Sequence, residues 1–84
     1  MKPHPYPVTP LELHERALEH FSESRRAFYS KNWAQERYSL RSAARLERRA
    51  ASLLPEGSAH RESLLASAAS LERLERHVRS ETHG

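Results

Sequence analysis

The side chains with chemistry to offer are six histidines (His4, His14, His20, His60, His77 and His83), eleven glutamates and twelve arginines; there is no cysteine and no aspartate. A helical metal site needs histidines at i, i+4 or a Glu-x-x-His pair, because those spacings bring two ligands onto one face. Neither spacing occurs. His14 and His20 are six residues apart and point in different directions at about 100° per residue. No metal ligand and no cofactor is therefore expected. Nucleophilic catalysis lacks its parts as well, with no thiol and no Gly-x-Ser-x-Gly turn. The eleven serines are spread through the chain, five of them beside alanine, and read as small packing residues, and two glycines leave little material for a phosphate-cradling loop. The expectation is a chain without catalytic residues.

Charge is the more informative pattern. Arg37, Arg41, Arg45 and Arg49 follow one another at i, i+4, with Arg48 beside them. Like charges at that spacing destabilise a helix by a few tenths of a kcal/mol per pair. Farther on, Glu72 precedes Arg76 and Glu75 precedes Arg79 in the favourable order. The whole formal net charge of +3 sits between residues 33 and 54, where five arginines face two glutamates. Two readings follow for this basic flank. It pairs with Glu12, Glu15, Glu19 and Glu23 of the preceding segment, or it is a surface for an acidic partner or nucleic-acid phosphates. Few aromatic residues interleave with the arginines, so base stacking is not suggested, and nucleic acid is the secondary reading. Glu47 falls on the apolar line of Leu40, with Glu36 nearby. A carboxylate there must find a cation or hold its proton. Arg25, which interrupts the apolar line of the first segment, is the expected partner in a buried ion pair that fixes register.

Helices must position these groups. Thr9-Pro10-Leu11-Glu12 is a helix start, with Thr9 as cap, Pro10 in the first turn and Glu12 closing a capping box. Leu11, His14, Leu18, Phe21, Arg25 and Phe28 then recur at spacings of three and four, predicting a helix over 10–30. Asn32 caps a second helix over 33–54, with Gln35 at the reciprocal position. Trp33, Leu40, Ala44, Ala51 and Leu54 form its stripe, flanked by Ala43 and Ala50. Pro55-Glu56-Gly57 ends it, and Ser58 caps a third helix over 59–82 that buries Leu64, Ala68, Leu71, Leu74 and Val78. Isoleucine is absent and no strand-like run exists. Short linkers force antiparallel neighbours. The fold class is all-α: an up-down-up antiparallel three-helix bundle over 10–82, preceded by a proline-rich arm over 1–9. With 84 residues and many core alanines, stability is thin and association with another chain is favoured.

Lys31-Asn32-Trp33, followed by Ala43 and closed by Leu53-Leu54-Pro55, resembles the turn and second helix of a tetratricopeptide-type hairpin, without a 34-residue period in this chain. Across residues 11–79, the alanine- and aromatic-bearing first helix, Asn32-Trp33 at the turn, and Arg61 with Leu71-Glu72-Arg73-Leu74-Glu75 resemble the microtubule-interacting-and-trafficking type of three-helix domain. The resemblance implies peptide binding in grooves between helices.

The functional expectation is a non-catalytic protein-protein interaction or assembly module, able to self-associate. Tyr6, Val8, Tyr38, Leu46 and Leu53 lie outside the main stripes and are the expected contact residues. The alternative is an accessory nucleic-acid or acidic-partner binder using Arg37, Arg41, Arg45, Arg48 and Arg49. No run approaches the length of a membrane helix, and the opening residues do not read as a secretory signal, so a cytoplasmic location is expected.

Overall fold

The computed structural model describes residues 8–83, which form three helices: α1 over Pro10–Tyr29, α2 over Trp33–Ser52 and α3 over Ala59–His83. Most of the arm, Tyr6 included, lies outside the described residues. Local chemistry sets the helix starts where the sequence places them, while α2 ends at Ser52, two residues before the expected end at 54. Thr9 Oγ1 accepts from the Glu12 amide at 3.1 Å, and the Glu12 carboxylate accepts from the Thr9 amide at 3.1 Å, completing the capping box. Asn32 Oδ1 accepts from the Gln35 amide and Ser58 Oγ from the Arg61 amide, both at 3.2 Å. Gln35 does not reciprocate; its side-chain amide donates instead to Ser39 Oγ at 3.0 Å, satisfying a hydroxyl that is fully buried.

The turn from α1 to α2 is a Schellman ending. Asn32 donates to the Ala27 carbonyl at 2.9 Å and Lys31 to the Phe28 carbonyl at 3.1 Å, with Lys31 in the left-handed region at φ 59°. Gly57, at φ 83°, takes the same region in the turn before α3, at no Cβ cost.

The three helices do not close into a triangle. Both α1 and α3 pack on α2 and neither packs on the other, and the molecule is flat, 43 × 38 × 15 Å. Two apolar clusters hold it. Leu13, Ala50, Ala51 and Leu64 join the start of α1 and α3 to the end of α2; Ala17, Leu40, Ala43, Ala44 and Leu71 form the second. Leu46 is partly buried against both. Alanine on α2 admits its neighbours closely but buries little area per residue.

The packed faces depart from the sequence stripes. On α1 the buried residues are Leu13, Ala17, Ser24 and Ala27, while Leu11, Leu18 and Phe28 are half-exposed or more. On α3 Leu64, Ala68 and Leu71 are buried, but Leu74 is 45% exposed and Glu75 is buried in its stead. On α2 Trp33 is 37% exposed, so the aromatic that opens the expected stripe lies at its outer edge. On α1 three of the four buried residues, Ala17, Ser24 and Ala27, are small, and Leu11, Leu18 and Phe28 are displaced outward.

Candidate functional site: an open trough across the second helix

Because α1 and α3 leave a gap between them, α2 floors a trough. At the end formed by the last turns of α1, the first turns of α2 and the last turns of α3, it deepens into a groove of about 610 Å³. Phe21, Phe28, Leu40, Leu74 and Val78 supply most of its apolar surface, with Trp33 and Tyr29 at the turn. Phe28 packs edge-on against both Tyr29 and Trp33, with ring centroids 5.4 and 6.2 Å away. Such pairs hold the rings in place while their outer faces stay open. Toward the other end a second, smaller hollow of about 200 Å³ continues between Leu18, Phe21 and Leu71.

Glu36 lines the deeper groove and is 8% exposed, and its Oε1 is buried without a hydrogen-bond partner. Burial pushes its carboxyl above the ordinary carboxylate range, since the charged form loses hydration. A raised folded-state pKa contributes stability that is present below the ordinary range and is lost as pH rises through the raised value. In dilute solution Glu36→Gln is expected to gain on the parent chain as pH goes from about 4 to about 7. Thermal melts of the two chains side by side check this; a pH-independent difference would show that the carboxyl is hydrated.

Glu47, the other carboxylate expected inside, is 1% exposed and is not paired with Arg25. His14 Nδ1 lies 2.9 and 3.0 Å from its two oxygens, and Ser67 Oγ donates to Oε2 at 3.2 Å. One carboxylate thus ties α1, α2 and α3 together. The expected Arg25–Glu47 pair fails because antiparallel packing puts His14, one turn into α1, level with Glu47 near the end of α2. Arg25 is exposed at the trough's rim. Ser67 and His14 both address the one carboxylate, and the trio fastens the three helices to one another. Among the described residues no cluster of three metal-ligating side chains forms.

The arginine flank of α2 is turned toward α3, not toward the glutamates of α1. Arg48 makes a two-pronged pair with Glu72, at 2.7 and 2.6 Å, and Arg41 reaches Glu75 at 3.3 Å. Hydrogen bonds from Arg48 hold the Glu72 carboxyl below its ordinary range, with Arg76 adding to the effect. So Glu72, which also feels Arg76 of its own helix as expected, and Glu75 bridge to α2 as well. Arg37 is half-buried, with Nε unpartnered; Arg45 and Arg49 are exposed and make no hydrogen bond among the described residues.

Among the described residues the expected contact set divides between surface and interior. Tyr38 is 59% exposed and meets the His20 ring edge-on at 6.5 Å, Leu53 is 51% exposed beyond the end of α2, and Leu46 belongs to the interior packing. Val8 is exposed. The residues that do converge, Phe28, Trp33, Glu36 and Leu74, were assigned to core or left aside in the sequence. Their signal was visible only as an excess of large apolar residues on α1 over what an alanine-faced α2 has room to bury.

No protein-family model, no curated protein and no solved structure matches this chain. Among the described residues no helix is long and apolar enough to cross a membrane.

Proposed function

We propose that the chain is a non-catalytic protein-interaction module that takes its partner in the trough over α2. The observation that carries this reading is the combination of half-exposed Phe28, Trp33 and Leu74 with the buried, unpartnered Glu36 Oε1 in one groove. Apolar surface of this kind, walled by helices and rigid aromatics, gains most when another chain displaces its water. A buried oxygen without a partner costs about 1–3 kcal/mol until a donor reaches it. A docked chain relieves both. The peptide-in-groove role implied by the resemblance to microtubule-interacting-and-trafficking domains points the same way. The nucleic-acid reading has less support, since Arg41 and Arg48 are each engaged by a glutamate of α3.

Site-specific photocrosslinking in producing cells tests the proposal. A benzophenone side chain at Leu74, at the groove, is expected to give discrete protein adducts. The same group at Tyr38 is expected to give few. Adducts at Tyr38 and none at Leu74 would overturn the trough as the docking face.

A further inference from the structure

We infer that the trough is filled by α1 of a second copy of this chain, with Arg25 of each copy paired to Glu36 of the other. The inference rests on the docking reading above and adds the occupant. Leu11, Leu18 and Arg25 recur at intervals of seven residues. A seven-residue step falls only about 20° short of two full turns, so the three form one line along α1. That line is outside the fold's own packing: Leu11 is 62% and Leu18 50% exposed, and Arg25 is exposed with no partner among the described residues. An apolar ridge with a cation at one end is the chemistry the trough calls for. The trough's surface is mostly apolar, and Glu47 and Ser67 in its smaller hollow are engaged with each other. Among the described residues its one buried, unpartnered oxygen belongs to Glu36 at the deep end, where His77 also lines the wall.

The same chain carries both halves on the same face. Leu18 and Arg25 line the rim of the trough whose groove contains Glu36. A two-fold arrangement therefore makes every contact twice, Arg25 to Glu36 and Glu36 to Arg25, as an isologous interface requires. The pairing ionises Glu36 in the assembly and gives it the donor it lacks in the single chain. The outer arginines of α2 lie without a continuous apolar line beside them, because Leu46 is engaged inside the fold.

Light scattering on the full chain, from about 1 µM to about 1 mM, reads the outcome. The expected result is a rise from one-chain to two-chain mass. Leu18→Glu and Arg25→Glu, both at exposed positions, are expected to hold the one-chain mass over the same range with helical circular dichroism unchanged. Arg25→Glu and Glu36→Lys are each expected to be monomeric by themselves. Mixed in equal amounts they should regain the two-chain mass, because only the mixed pair restores both ionic contacts. A parent chain of one-chain mass throughout overturns the inference, as does a dimer indifferent to Leu18→Glu and Arg25→Glu. If such a monomer still crosslinks through Leu74 to a different protein, the second copy is excluded and the docking face stands. If Leu74 yields nothing either, both fall.

Discussion

Leu13→Ala is expected to cost about 3 kcal/mol of folding stability, while Leu18→Ala, five residues away on the same helix, costs less than about 1 kcal/mol. The two leucines differ in environment, not in chemistry. Leu13 is 1% exposed and clusters with Ala50, Ala51 and Leu64 where α1 and α3 both flank the end of α2; Leu18 is 50% exposed on the trough's rim. Truncating the first leaves a cavity among alanines that have no side chain to move into it. Truncating the second removes atoms already half in water. A chain of 84 residues has a total stability of about 4–12 kcal/mol, so Leu13→Ala brings it near the threshold. Urea denaturation at a concentration low enough to keep the chain monomeric measures both. Equal costs at the two positions would mean that α1 is rotated relative to the packing described.

The second large effect concerns the three-helix fastening at Glu47. His14→Leu is expected to cost about 2–3 kcal/mol, because it leaves a carboxylate that is 1% exposed with only the Ser67 hydroxyl as partner. Adding Glu47→Leu is expected to recover most of that loss, since a buried pair replaced by apolar side chains is often neutral or stabilising. Both substitutions fall within direct contact, so their effects are strongly non-additive, and the double-mutant cycle is the informative quantity. Glu47→Gln separates charge from hydrogen bonding: it keeps an oxygen for Ser67 and removes the ion. If His14→Leu is tolerated while Glu47→Leu is costly, the histidine is a bystander and Ser67 carries the fastening.

These two effects mark where the sequence was legible. Helix ends rest on contacts within four residues, such as the Thr9–Glu12 box, the Asn32 and Ser58 caps and the Pro55-Glu56-Gly57 break. All are readable because nothing distant competes with them. The alanines of α2 were also readable as an inward face, since Ala43, Ala44, Ala50 and Ala51 share one side of a helix whose other side is arginine. On α1 two lines compete one residue apart: Leu13, Ala17, Ser24 and Ala27, and Leu18, Phe21, Arg25 and Phe28. Hydrophobicity favours the second. Packing against an alanine surface favours the first, because small residues let the backbones approach and large ones hold them apart.

Local sequence thus specifies three antiparallel helices, their starts, and the alanine face of the central one. The tertiary structure decided which neighbour each face meets. Glu47 takes His14 and Ser67 because antiparallel packing brings them level, and the arginine flank takes Glu72 and Glu75 because α2 turns that flank to α3. It also decided that α1 and α3 stay apart, which leaves Phe28, Trp33, Leu74 and Glu36 around an open groove. Periodicity reports which residues share a side of one helix. It carries no information on the angle at which two helices flank a third, and that angle separates a closed core from a trough.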